Sequence, residues 1–232
     1  MSDYRIISSQ AIILIERFIA KLRPEENNIP LGGTILKSTL HPKALNSDSG
    51  SMSWYCWSED QRKYPKLFLA FEQFDGYNTI GEIPAPQSLK LKRATNIFWY
   101  AGQSAEDIIE RQHIDPNAYV DVEIDRDGAE GVIELKNEFL KNSPRDDSGK
   151  NPLNKYPYSF FENKTNPQLQ EFINQPDLEY VRYYFGYDDV ADHHKETNRI
   201  RIILVGVDAS GTNLAESKAI LLQNSWPPPP WN

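Results

Sequence analysis

Glu123, Asp125, Asp127 and Glu134 stand at positions 1, 3, 5 and 12 of the stretch EIDRDGAEGVIE, with Gly128 at position 6. Carboxylates at that spacing can wrap their oxygens around one hard cation, and the glycine supplies the sharp turn a calcium loop needs. Two residues depart from such a loop. Position 1 is the longer Glu rather than Asp, and position 8, where an aliphatic side chain normally turns to the core, is Glu130. The entering segment departs too. Tyr119 to Asp125 alternates Val120, Val122 and Ile124 with Asp121, Glu123 and Asp125, the period of a half-exposed strand rather than of a helix.

The same region carries a second possible chemistry. Asp121 precedes the turn and Glu134-Leu135-Lys136 follows it. Two carboxylates can share Mg²⁺, which polarises a phosphate and helps generate hydroxide, while a lysine positions the attacking water. On these residues the stretch 104 to 137 resembles the PD-(D/E)xK nuclease superfamily. The resemblance implies a Mg²⁺-dependent nuclease with Asp121 as first acid, Glu134 as second, Lys136 as the lysine, and Glu110 on the preceding helix as a further ligand. Val120 stands where the family pattern has proline. The resemblance also requires residues 132–136 to be a strand, whereas Val132, Leu135 and Phe139 fit one helix face equally well. A third reading needs no metal. Asp127-Gly128 is a strong reverse-turn signal, and Asp121, Glu123 and Asp125 would then be a solvated strand face. This turn is the default expectation.

Elsewhere the chemistry is thinner. Asp189 and His193, within the cluster Asp188 to Glu196, would meet on a helix at i, i+4 spacing, although a solvated connection between strands explains them as well. His41 and His113 stand alone in sequence, and no Ser or Cys nucleophile motif is present. The single cysteine, Cys56, rules out an intrachain disulfide and a Cys-based zinc site. A formal net charge of −8 opposes phosphate backbones and anionic membrane surfaces, so nucleic acid and membrane are not the expected partners. The N-terminal apolar run is short and broken by Glu16 and Arg17, with no export signal and no spanning segment, which makes a cytoplasmic location the expectation.

The elements that must position these groups follow from periodicity. Residues 9–23 predict a helix with Ile12, Ile15, Ile19 and Leu22 on one face and Ser8 or Ser9 as its cap. Residues 24–51 read as mostly irregular. SMSWYCW (51–57), KLFLAFEQF (66–74) and ATNIFWYAG (94–102) predict strands, and the second, apolar on both faces, belongs inside a covered sheet. Ser104 opens a helix with Asp107 three residues on. Another short helix is expected near 167–174, and strands at 178–187, 199–207 and 218–226.

The fold expectation is a single α+β domain over residues 1–232. A largely antiparallel, twisted sheet would be covered by the N-terminal helix and a few short helices. A polar loop at 141–157 and a Pro-rich tail at 226–232 complete it. Aromatic residues make up 12% of the chain. Trp54, Tyr55, Trp57 and Tyr184 on strands, with Trp226 and Trp231 in the tail, are the expected partner-binding surface. The leading functional expectation is a non-catalytic protein that binds a protein partner or itself through that surface, with no cofactor. The nuclease with Mg²⁺ and a calcium-binding module using Glu123, Asp125, Asp127 and Glu134 stand behind it.

Overall fold

The computed structural model describes residues 5–40, 49–75, 91–110, 113, 115, 121–124, 129–142, 158–162, 167–188, 199–214 and 221–224. In chain order the elements are β1 (Arg5–Ile6), α1 (Ser8–Leu22), α2 (Pro24–Asn27), β2 (Gly32–Leu36), α3 (Lys37–Leu40), β3 (Ser49–Trp57), β4 (Leu67–Asp75), β5 (Lys92–Ala94), β6 (Asn96–Phe98), α4 (Ala105–Glu110), β7 (Asp121–Glu123), α5 (Ala129–Asn142), β8 (Tyr158–Glu162), α6 (Pro167–Ile173), β9 (Tyr180–Asp188), β10 (Arg199–Val207) and β11 (Leu221–Asn224).

The class is α+β and the strand pairings are antiparallel, but the strands form two sheets rather than one. The first runs β1-β11-β10-β9-β2-β6 and the second β7-β5-β4-β3-β8. The change of sheet happens inside the segment expected to be a single strand at 94–102. β5 pairs with β4 in the second sheet, and after Thr95 β6 pairs with β2 in the first. Strand β2 lies in the stretch expected to be irregular. Its sequence, GGTIL, looks like turn chemistry, yet the glycine is there for close approach. A side chain at Gly32 would run into the Tyr183 backbone carbonyl of the neighbouring strand.

Helix α1 buries Ala11, Leu14, Ile15, Phe18 and Leu22. Neither serine caps it. The Ile7 N–H instead donates to Gln10 Oε1 at 3.1 Å, and Arg23 ends the helix in the left-handed region at φ 44°. One apolar cluster draws on α1, α4, α6 and both sheets. A run of rings threads it. Phe139 of α5 stacks on Tyr55 of β3 at 5.2 Å, Tyr55 meets Phe185 of β9 at 6.4 Å, and Phe185 stacks on Phe18 of α1 at 5.7 Å. The Tyr55 hydroxyl donates to the Ile200 carbonyl at 3.2 Å, tying the second sheet to the first.

A second cluster lies on the opposite side of β3 and β4. Met52, Trp54, Cys56, Phe68 and Ala70 pack there with Val132 and Leu135 of α5. Because successive strand side chains alternate, β3 sends Tyr55 and Trp57 into one cluster and Trp54 and Cys56 into the other. The second sheet is therefore covered on both faces, as the two-sided apolar pattern of β4 predicts. No helix among the described residues is long and apolar enough to cross a membrane.

Candidate functional site

Residues 132–136 are helix. They lie within α5, where Val132, Leu135 and Phe139 form the buried stripe. Side chains two apart on a helix point to nearly opposite sides, so Glu134 and Lys136 cannot face one ion together. Glu134 is exposed. Lys136 turns to the sheet, with its ammonium 5.8 Å from the centre of the Trp54 ring. Asp121 is on β7, an edge strand, and Glu110 ends α4. The strand-borne acid pair and lysine of the nuclease resemblance do not form. The calcium expectation loses its entering helix, because β7 leads in as a strand with Glu123 exposed, while Asp125 and Asp127 lie outside the described residues. Among the described residues no group of three or more His, Cys, Asp or Glu could hold a metal ion.

The expected aromatic surface is also corrected. Trp54, Tyr55 and Tyr184 are fully buried and Trp57 is nearly so. The expectation assumed that strands lined with aromatics on both sides leave one side in water, but helices and the second sheet cover them. Trp226 and Trp231, the tail 226–232 and the loop 143–157 lie outside the described residues, as do His41 and Asp189 to Glu196. Asp188 pairs with Arg201 at 2.8 Å.

The two tryptophans of β3 are satisfied in the same manner. Trp54 Nε1 donates to Glu72 Oε2 at 3.0 Å and Lys136 lies over its ring. Trp57 Nε1 donates to Glu59 Oε1 at 2.7 Å, and Lys66 lies 5.2 Å from its ring centre. Each indole thus has a carboxylate on its N–H and an ammonium on its π face. Burial holds the Lys136 ammonium below the ordinary lysine range. Burial raises the Cys56 thiol well above its ordinary range, so it stays protonated and inert.

Trp99 is different. β6 continues the alternation of a strand past its last residue. Phe98 turns inward, with the Arg182 guanidinium 5.0 Å from its ring centre and its carbonyl accepting from the Leu31 N–H at 2.7 Å. Tyr100 packs against the main core. Between these two, period 2 sends Trp99 outward, where it is 45% exposed. Among the described residues its indole has no hydrogen bond, no ring contact and no cation.

The segment that follows is held firmly. The Ala101 N–H donates to Gln103 Oε1 at 2.6 Å, and Gly102 turns the chain at φ 82°. Ser104 caps α4, as its sequence predicts. The Asp107 N–H donates to Ser104 Oγ at 3.1 Å, and the Ser104 hydroxyl donates to Asp107 Oδ2 at 2.8 Å. At the other end, Tyr184 Oη donates to the Ile108 carbonyl at 3.0 Å and Asn213 Nδ2 to the Ile109 carbonyl at 2.7 Å. Asn213 is in turn bound by the buried Arg182. Ala105, Ile108 and Ile109 face the core, which leaves Glu106 and Glu110, at i and i+4, on another side of the helix.

A polar chain also runs along the turn after β10. Asp208 Oδ1 accepts from the Ser210 N–H, the Ser210 hydroxyl and the Thr212 N–H. Thr212 Oγ1 lies 3.3 Å from His113 Nδ1, giving His113 the partner its sequence did not show. Partial burial pushes the Asp208 carboxyl up, but these hydrogen bonds outweigh it and hold the group below its ordinary value. The carboxylate sits on the hydroxyl end of the chain rather than on the imidazole, so it does not orient the histidine as a general base. Its effect is to close the turn.

No protein-family model, no curated protein and no solved structure matches the chain.

Proposed function

We propose that the chain is a non-catalytic binding protein that docks a protein partner at Trp99 and the adjoining helix α4. One observation carries this reading. Trp99 is the described tryptophan left open, on a segment anchored at both ends by Leu31, Arg182, Ser104, Tyr184 and Asn213. A large, flat, amphipathic side chain on a preordered support loses little entropy when it is covered, which is what a docking anchor requires. The expected partner surface is thus moved from the strand aromatics to the turn beyond β6. Selection of random displayed peptides on the full chain and on Trp99→Ala tests it. The wild-type chain is expected to enrich a peptide set that the variant does not. Enrichment of the same set by both proteins would remove the reading.

A further inference from the structure

We infer that the partner segment taken up at Trp99 is an extended strand, added to the edge of the first sheet beside β6. The inference rests on the docking reading above and gives the form of the partner: a β-forming peptide with free main-chain amides. It comes from where the backbone of this segment points. β6 ends the order β1-β11-β10-β9-β2-β6, with β2 on one side and no described strand on the other. The Phe98 carbonyl points to β2, where it accepts from the Leu31 N–H at 2.7 Å. A trans peptide sends the next N–H the opposite way, so the Trp99 N–H points off the sheet. Successive residues of an edge strand turn their polar groups to alternate sides, so those of Ile97 share the side of Trp99. Among the described residues the Trp99 N–H and C=O make no hydrogen bond.

Those groups decide what can cover them. A row of outward donors and acceptors is matched by another extended backbone about 4.8 Å away. A helix uses its own N–H and C=O groups internally and leaves such a row unmatched. The row is reachable from water, because Asn96, Ile97 and Tyr100 are half-buried and Trp99 is exposed. It also lacks the usual guards of a sheet edge, since Asn96 to Tyr100 contains neither a charged residue nor a proline. Residues paired across two strands share a face, so the partner residue opposite Trp99 would lie against the indole. A β-branched side chain there makes a favourable cross-strand pair with an aromatic ring. The same edge of a second copy is the poorer occupant, because each chain carries a net charge of −8.

The test uses the full chain and two fluorescein-labelled heptapeptides. One is Gly-Thr-Val-Thr-Val-Thr-Gly, and the other is the same sequence N-methylated at its central Thr and Val residues. Methylation keeps every side chain and removes the amide donors. By fluorescence anisotropy the free-amide probe is expected to bind about tenfold tighter than the methylated one. Trp99→Ala should weaken it about tenfold. Ile97→Pro removes an N–H that points off the sheet and spares the bonds to β2. It should therefore melt with Ile97→Ala, which controls for the lost side chain, yet bind the probe severalfold more weakly. Amide hydrogen exchange by NMR reads the edge directly. The Ile97 and Trp99 amides should slow about tenfold on saturation with the free-amide probe, while Phe98 is unchanged. If the methylated probe binds as tightly as the free-amide probe, and Trp99→Ala abolishes that binding, the added strand is overturned and the docking reading stands. If Ile97→Pro melts well below Ile97→Ala, the edge is already paired and the added strand is again overturned. If the probe slows the Ile97 and Trp99 amides but binds Trp99→Ala undiminished, the strand pairing stands and Trp99 as the anchor is overturned. If neither probe binding depends on Trp99 nor these amides slow, both are overturned.

Discussion

Strand β3 and the turn beyond β6 present the same side chain in opposite states. On β3, Trp54 and Trp57 are enclosed, each with a carboxylate on its N–H and a lysine on its face. Beyond β6, Trp99 sits between two inward residues and faces water. The backbone dictates both outcomes by the same alternation. What differs is the layer beyond. α5 covers the Trp54 side of the second sheet, whereas Trp99 remains 45% exposed. An aromatic residue in a strand therefore indicates function only once the next layer is known.

The comparison can be tested first where it is strongest. Trp54→Ala should empty a fully enclosed volume and strip Glu72 and Lys136 of their shared partner. The expected loss is about 3–5 kcal/mol in denaturant unfolding, with no change in binding at Trp99. A loss below about 1 kcal/mol would mean the enclosure is not rigid. Next come the two carboxylates. Glu72 is 5% exposed and accepts from Trp54. Glu72→Ala leaves that indole N–H buried without its acceptor, at an expected cost of about 1–3 kcal/mol. Glu59 is exposed, so Glu59→Ala should cost less than about 1 kcal/mol because water replaces it. Equal effects would mean the two tryptophans are not enclosed to different depths.

Much of this architecture follows from pattern alone. α1, β3, β4, β9 and β10 announce themselves because their apolar residues repeat at 3.6 or 2 over long stretches. The failures are tertiary. Val132, Ile133 and Leu135 form an apolar run too short to separate strand from helix. The decision is made by Phe139, one turn further, reaching the Tyr55 ring. Once that contact is made, Glu134 and Lys136 part company and the nuclease arrangement goes with them. Gly32 and Gly33 read as a turn because their role depends on Tyr183, some 150 residues away. Trp54, Tyr55, Trp57 and Tyr184 were expected at the surface because strand alternation gives relative sides only and cannot say which side another layer covers. That Phe98, Trp99 and Tyr100 alternate sides if the segment is extended was available in the sequence. What could not be read was that Phe98 rather than Trp99 is the inward residue, which Arg182 and Leu31 determine.

Lys136 offers a smaller and more selective test. Burial lowers its folded-state pKa, so between that value and the ordinary lysine value the unfolded chain binds more protons than the folded one. Stability from this group is therefore fully present above the unfolded pKa, and lost as pH falls through the depressed folded pKa. Lys136→Met keeps the apolar stem over Trp54 and removes the titration. At neutral pH the change should be within about 1 kcal/mol, because the lost cation–π contact and the relieved desolvation oppose each other. Melting temperatures taken from pH 7 to pH 11 should show the wild-type protein gaining on the variant as pH rises. Parallel curves would place the ammonium in open water rather than against the indole.

Trp99→Ala should have the smallest effect on stability, within about 0.5 kcal/mol. The ring is 45% exposed and has no bond to lose among the described residues. The inward anchors Phe98 and Tyr100 are untouched, so the strand keeps its register and α4 its caps. This near-neutrality is informative because Trp54→Ala makes the same chemical change inside the core. If Trp99→Ala instead costs more than about 2 kcal/mol, its indole packs against some part of the chain and the open face does not exist. If stability is unchanged and peptide binding is lost, the same side chain is structural on β3 and interactive beyond β6. The difference then lies in the covering layer alone.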